Sequence, residues 1–339
     1  MKINSSVFAR ALDTNVYDFV PGEVKIHSFS QNGCGIIRRS AVSGCQEAMR
    51  IVLSRNDADI LARFHDDLVL EKTGETIKCS AGASRCSFQN ITELAVPRLK
   101  MANLQSVNIS LAEYKKAAGM AKKEGVQISK NGCASSNTDR SFAYRLFKNL
   151  GDIKSISAPV EVLKLLNNDE RYSIFANDTF ITFQLETEIV YSNLYTKLIT
   201  ALDDFDPKTD GMIRILEPNK FAEHLKYASA FSDLVRLNIE NGEMLLTTDV
   251  VAQDPRRYSA VIPVNSNFKV YSRAVNIENL LRCIDAIYPK NADEIEIGVS
   301  KTILKFRNDT ELAATAIVKM LEGEEYELEE EGGSDDGTE

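Results

Sequence analysis

Three stretches of this chain, residues 41–92, 157–199 and 273–321, run through the same order: a short amphipathic helix, an acidic or polar turn, then two or three alternating strands. The apolar helix positions are Met49 and Ile51 in the first, Leu163 and Leu166 in the second, and Leu280 and Ile284 in the third. Equivalent positions recur about every 115 residues, so the repeat is a domain and not a solenoid unit. Three copies of one α+β domain within 339 residues favour a curved or ring-like body over a single pocketed globule.

The third copy is the most legible. Pro218 fits the first turn of a helix whose apolar face is Phe221, Leu225 and Ala228. Residues 234–239 alternate as a strand, Asn241-Gly242 signals a hairpin, and residues 244–248 return. Residues 258–264 and 268–271 add strands. Asn276 can cap a helix over 277–287 that Pro289 ends, and strands at 294–299, 302–306 and 315–321 complete the unit. In the second copy Ser110 can cap a helix to about Lys123, followed by strands at 126–129 and 142–147. A helix over 159–166 and strands at 172–176, 179–185 and 188–194 finish it. The first copy is the most degenerate; residues 6–12 allow about two helical turns, and pattern alone does not place the strands before Ser43. Linkers near 95–103 and 203–211 divide the chain into domains 1–97, 100–208 and 212–321.

Composition removes several function classes. No apolar run approaches the roughly 20 residues that span a bilayer, and the start of the chain lacks an apolar signal core. Both point to a cytoplasmic protein without a membrane partner. The six cysteines form no C-x-x-C pair and have no histidine at zinc-finger spacing, so they read as small buried apolar residues and no metal site is expected. No phosphate-binding loop, dinucleotide fingerprint, zinc-protease helix or nucleophile elbow is present, and His27, His65 and His224 are isolated from one another. An enzyme is therefore not expected, nor a cofactor. Asp203, Asp204 and Asp206 read as a solvated linker turn. Net charge is −9, but residues 322–339 carry ten acidic side chains and no basic ones. Without that segment 40 basic groups face 39 acidic ones (49 less ten), so the body is near neutral and the tail is expected to be disordered.

Helix and hairpin pairs written three times resemble the bacterial-type DNA sliding clamp, the beta subunit of DNA polymerase III, and local wording adds to the order of elements. Lys78-Cys-Ser-Ala-Gly-Ala-Ser-Arg-Cys-Ser-Phe88 is similar to the Ser-Gly-x-Ser-Arg-x-x-Leu strand that ends the family's first domain. Ser136-Asn-Thr-Asp-Arg-Ser-Phe-Ala-Tyr-Arg145 resembles its Ala-Thr-Asp-Gly-His-Arg-Leu-Ala signature, and residues 273–287, the hairpin after them and 316–321 resemble the end of its third domain. The chain departs from the family where Arg140 and Ser141 replace Gly-His-Arg, and where Val318-Lys-Met-Leu321 and the acidic tail replace the usual terminus. It reads as a divergent clamp.

The resemblance implies three repeated clamp-type domains with helices on one face of antiparallel sheets, two protomers closing head to tail as a homodimer ring around duplex DNA. Its implied function is that of a DNA replication processivity factor: a non-enzymatic ring that tethers DNA polymerase after a separate ATP-dependent clamp loader places it. The setting would be the cytoplasm of a bacterial cell or a phage-infected host. A sliding ring needs positive charge toward phosphates without base readout. Candidates are Lys115, Lys116, Lys122, Lys123, Lys164, Lys220, Lys226 and Arg282, with Arg10 and Arg50 in the first domain; a solvated helix face is the plain alternative. The family's groove for partner peptides maps to Thr138, Asp139, Arg140, Phe142 and Tyr144 on one wall. Ile215, Leu216 and Pro218 map to the junction, and Val318, Met320 and Leu321 to the far side, each apolar residue reading equally as core. Phe88 and Phe231 map to the protomer interface, with Arg85 a candidate ion-pair partner there. A clamp-like monomeric adaptor or decoy, binding replication proteins without encircling DNA, is the competing expectation.

Overall fold

The computed structural model describes residues 1–318 and 325–328, apart from 66, 93, 95, 98, 100, 122–124, 168–170, 196–204, 250–256 and 289–291. No described helix is long and apolar enough to cross a membrane. The first repeat contains β1 (Lys2–Ile3), a 3-10 turn at Ser5–Phe8, β2 (Thr14–Val20), β3 (Glu23–Phe29), β4 (Cys34–Ala41), β5 (Met49–Ser54), α1 (Arg55–Ala62), β6 (Leu68–Thr73), β7 (Thr76–Ala81) and β8 (Ser84–Gln89). The second contains β9 (Gln105–Ser106), α2 (Leu111–Ala121), β10 (Val126–Ser129), β11 (Gly132–Ser136), β12 (Phe142–Phe147), β13 (Ile156–Ala158), a 3-10 turn at Val160–Leu165, β14 (Ser173–Ala176), β15 (Phe180–Gln184) and β16 (Glu188–Asn193). The third contains β17 (Gly211–Ile215), α3 (Pro218–Ser229), β18 (Leu234–Glu240), β19 (Glu243–Thr247), β20 (Ser259–Ser266), β21 (Phe268–Asn276), α4 (Ile277–Ile287), β22 (Ile295–Val299), β23 (Ile303–Arg307) and β24 (Glu311–Val318), followed by β25 (Glu325–Leu328). The fold is α+β, with two helical segments per repeat among the described residues.

Local chemistry explains the helix ends. Pro218 occupies the first turn of α3, and Phe221, Leu225 and Ala228 are fully buried, one stripe of a helix with 3.6 residues per turn. The Asn276 side chain accepts the Asn279 N–H at 3.0 Å and starts α4. At α2, Ser110 Oγ accepts the Glu113 N–H at 3.2 Å while Glu113 Oε2 accepts the Ser110 N–H at 2.7 Å, a reciprocal cap. Asn241 and Gly242 take φ of 52° and 80°, the left-handed pair a two-residue hairpin requires.

The chain packs as two compact units. One holds residues 1–115 and 150–198, the other 116–149 and 199–339, so the division cuts through the second repeat. The reason is sheet continuity between repeats. In the first unit β4 pairs with β16, placing Ile36 opposite Val190, and the sheet order is β5-β2-β3-β4-β16-β15-β14-β9, with β1-β6-β7-β8 as a separate sheet. In the second unit β12 pairs with β24, placing Tyr144 opposite Ala313, within the order β10-β11-β12-β24-β23-β22-β17-β20-β19-β18-β21-β25. A further β21–β24 pairing closes the third repeat on itself around Phe221, Leu225, Leu280 and Cys283.

Several expected elements differ. Met49 and Ile51 lie on β5, not on a helix: residues 49–53 join β2 by a ladder from Met49↔Phe19 to Leu53↔Asn15, and the helix begins only after Ser54, which caps α1. Residues 6–12 and 159–166 yield 3-10 turns, the first four and the second six residues long. Short segments of this kind lack the length at which helical hydrogen bonding becomes cooperative. β11 was not foreseen, because Gly-Cys-Ala-Ser-Ser lacks large alternating residues; β10 and β12 pair with it on both sides. Part of the tail expected to be disordered is a strand: residues 325–328 pair with β21, Tyr326 opposite Tyr271. Pro289 and the rest of the tail lie outside the described residues.

Candidate nucleic-acid and partner surfaces

The predicted cationic residues fall into two groups. Lys164, Lys220 and Lys226 are exposed, on the 3-10 turn at Val160–Leu165 and on α3. Lys220 also reaches Glu217 at 2.7 Å, one helical turn back, a solvent-exposed pair of little energetic weight. Lys115 is half-buried on α2. Four others have partners within the protein. Arg10, held at φ 59°, donates to Glu188 and to the Leu165 carbonyl. Arg50 stands on β5 and grips Asp18 with two bonds of 2.6 and 2.9 Å. Lys116 pairs with Glu311. Arg282 lies over the Phe142 ring at 4.1 Å and donates to the Met120 carbonyl at 2.5 Å; burial pulls its pKa down. Lys116 and Arg282, half-buried on internal partners, depart from the expectation that they face phosphates, whereas Arg10 and Arg50 stay exposed beside theirs. Lys122 and Lys123 lie outside the described residues.

The predicted partner groove is built differently from the sequence reading. Thr138, Asp139 and Arg140 are exposed at the tip of the β11–β12 turn, with Arg140 at φ 58°. The turn is pinned from within: Asn137 Oδ1 accepts the Phe142 N–H at 2.9 Å, and Asp139 Oδ1 accepts from the Ser141 backbone and hydroxyl at 3.0 and 2.8 Å. It is tied to the third repeat as well. Asn279 at the start of α4 donates to Ser141 Oγ at 2.9 Å, and the Ser141 carbonyl accepts the Ala316 N–H at 2.8 Å. The Thr-Asp-Arg tip is therefore a preorganised polar wall beside β24.

Phe142 and Tyr144, expected on that wall, are each 1% exposed and belong to the core. Phe142 underlies Arg282, while the Tyr144 hydroxyl donates to Glu311 Oε1 at 2.5 Å, the same carboxylate that holds Lys116. Alternation did not reveal this, because every side chain of this stretch but the last is buried on one face or the other. Ile215 is fully buried, opposite Ile295 and Val264, whereas Leu216 is exposed and Pro218 half-buried. Val318 is half-buried opposite Ala274 on β21. Ile215 sits on β17 and the turn on β12, strands that do not adjoin. Met320 and Leu321 lie outside the described residues. Asp206, read as a solvated linker residue, is held by Lys305 at 3.1 Å and Arg307 at 2.7 Å.

Among the described residues, β8 and the first half of β20 are strand edges near the residues mapped to the protomer interface. β8 ends the β1-β6-β7-β8 sheet; Arg85 is exposed on it, and Phe88 is half-buried against the first repeat's core. β20 pairs with β19 along residues 259–263 but meets β17 only from Val264 onward, leaving its first half with one unpaired edge. Val261 there is 56% exposed. Phe231, at the end of α3, packs on Tyr258 with ring centroids 5.7 Å apart, and Tyr258 in turn contacts His224 Nδ1 at 2.6 Å. The sequence reading missed the β20 edge. Its only signal is Pro263, which donates no ladder hydrogen bond and favours edge strands.

A cleft of about 470 Å³ and one of about 1120 Å³ also lie in the first unit; the larger has Leu94, Val96, Pro97, Leu99 and Met101 on one side and Lys25, Arg39 and Glu186 among its polar lining. Its charges are mixed and do not converge on one ligand chemistry.

No protein-family profile and no curated protein sequence matches the chain. Solved structures do. The chain is similar to the DNA polymerase III subunit beta of Pseudomonas aeruginosa, with a TM-score of 0.74, 12% identity, and coverage of 92% of this chain and 93% of that one. It is similar to the DnaN sliding clamp of Bartonella birtlesii, with a TM-score of 0.75 at 15% identity over 94% and 99% of the two chains. The beta clamp of Helicobacter pylori bound to a DNA ligase peptide gives a TM-score of 0.75 at 12% identity over 94% and 100%. The chain has the fold of the bacterial DNA polymerase III beta sliding clamps along nearly its whole length.

Proposed function

We propose that this protein is a DNA polymerase processivity factor: two copies close head to tail into a ring around duplex DNA and tether DNA polymerase and other replication proteins. The observation that carries the reading is the likeness to sliding clamps over at least 92% of both chains, which includes all three repeats. No catalytic role is assigned to any residue. The ring is loaded by a separate ATP-dependent clamp loader, and it binds duplex DNA without reading sequence.

Three features support the parts of this proposal. Lys164, Lys220 and Lys226 supply exposed positive charge on helical segments, a mobile electrostatic contact suited to sliding. The open edges of β8 and β20 are places where a second chain can extend a sheet by antiparallel pairing, with Phe88 beside one and Phe231 beside the other. The Thr138–Arg140 tip, beside β24 and Val318, is the wall where a partner peptide docks. A clamp structure with a ligase peptide bound makes a peptide the natural ligand class.

Light scattering over a concentration series, followed by retention on closed-circular and linearised DNA, tests the proposal. A mass near twice that of one chain, with release on linearisation, is expected. The monomeric adaptor reading draws on Lys116 and Arg282 being held by internal partners. A single-chain mass at every concentration and no topological retention would put that reading in its place.

A further inference from the structure

Of the six cysteines, Cys34 contacts Ser192, Cys45 donates to the Glu47 carbonyl, and Cys133 and Cys283 are buried on separate elements. Cys79 and Cys86 differ. They are direct cross-strand neighbours in the β7–β8 hairpin, with both side chains on its core-facing side. Cys79 is buried in the first repeat's core, while Cys86 is half-exposed on the open edge strand. Cys86, on the exposed edge strand, is the thiol that a small oxidant reaches first.

We propose that Cys79 and Cys86 form a reversible dithiol–disulfide couple, an oxidative modification site for peroxide-class oxidants in the outermost hairpin of the first repeat. The backbone permits it. The hairpin turns at Gly82-Ala83, so Ala81 and Ser84 close it with paired hydrogen bonds, and alternation makes Cys79 and Cys86 a hydrogen-bonded pair as well. Such pairs hold their Cα atoms about 5.5 Å apart, inside the roughly 4.4–6.8 Å range a disulfide spans. Their Cβ atoms stand wider than the roughly 3.8 Å of a relaxed disulfide. The bond therefore forms by drawing β8 toward β7 and stays strained, which makes it easy to reduce.

The order of events follows from the environments. Burial pushes the Cys79 thiol up to about 12. Burial raises Cys86 too, partly offset by the neighbouring Cys79 thiol, and Cys86 is the sulfur exposed to solvent. Cys86 sulfur attacks one peroxide oxygen, the O–O bond breaks, and Cys86 becomes a sulfenic acid with release of one water. Cys79 sulfur then attacks Cys86 sulfur, the S–O bond breaks, and the hydroxide leaves as a second water with the Cys79 proton. Two thiols and one hydrogen peroxide give one disulfide and two waters. The couple stands whether or not the β8 edge meets a second chain.

Trypsin separates the pair, cutting after Lys78, Arg85 and Arg98, so Cys79 and Cys86 fall on peptides 79–85 and 86–98. The full chain is treated with hydrogen peroxide, alkylated in denaturant, digested and weighed, with and without dithiothreitol before alkylation. The expected product is the two peptides joined, lighter than their sum by two hydrogens and separated by dithiothreitol; in Cys79→Ala, Cys86 instead accumulates as a trapped sulfenic acid. Both peptides remaining fully alkylated, a sulfinic acid on Cys86 with Cys79 still alkylated, or 86–98 joined to a second 86–98 would each overturn the proposal.

Discussion

Replacing Gly35 with alanine puts a methyl group where the Tyr191 ring already lies. Gly35 on β4 is the register partner of Tyr191 on β16, at the seam between the first and second repeats. A Cβ there would come within 2.5 Å of Tyr191 Cε1 and closer still to Cζ and the hydroxyl oxygen. The Gly35 backbone is not left-handed, so alanine meets no conformational penalty and the cost is steric. Tyr191 is 2% exposed, and its hydroxyl meets His27 Nε2 at 2.8 Å, so the ring cannot yield without breaking that bond. Overpacking of this kind costs about 1–3 kcal/mol, and a buried polar group left without its partner about 1–3 kcal/mol more. The expected loss is therefore roughly 2–6 kcal/mol. Urea denaturation followed by tyrosine fluorescence would read it as a lower midpoint. The same substitution in a Tyr191→Ala background should be nearly neutral, giving a coupling energy above about 2 kcal/mol. Equal costs in the two backgrounds, or a loss below about 0.5 kcal/mol in the wild-type one, would refute the idea that an empty Cβ position lets the aromatic ring stitch the repeats together.

Other outcomes follow from the same geometry. Burial first, then Lys25, lowers His27 from 6.5 to about 4; the unfolded chain binds a proton below 6.5 that the folded chain refuses, so stability should fall as pH drops from 6.5 to about 4. The change approaches roughly 3 kcal/mol, and His27→Gln should flatten that part of a stability–pH profile. Glu311→Ala removes the carboxylate shared by Lys116 and Tyr144 and should cost about 2–4 kcal/mol in urea denaturation, with Glu311→Gln closer to wild type. Lys164→Ala, Lys220→Ala and Lys226→Ala together should weaken DNA binding and reduce its salt slope by up to about 2.7, while leaving the unfolding midpoint in place. Val261→Glu should abolish dimerisation in light scattering if the β20 edge carries the interface, and an unchanged dimer would exclude that edge.

What the sequence determined by itself was whatever a few neighbouring residues decide. Pro218 with Phe221, Leu225 and Ala228, the Asn276 cap and the Asn241-Gly242 hairpin were all legible, because helix spacing, capping and left-handed turns act over at most a turn or two. The order of elements was legible in the third repeat for the same reason, and the clamp fold through the family resemblance of residues 78–88 and 136–145. The mistaken helix at Met49 and Ile51 marks where this ended: residues 49–54 are a strand because β2, some thirty residues earlier, offers them a hydrogen-bond ladder. The candidate surfaces depended still more on distant partners. Arg282 and Lys116 look like any solvated cation in one dimension, and only the packing of β12 against β24 and α4 turned them inward onto Phe142 and Glu311. Tertiary structure alone also placed Cys79 opposite Cys86, Tyr191 over Gly35 and an open edge along β20. Those depend on strand register, where a shift of one residue sends every side chain to the opposite face.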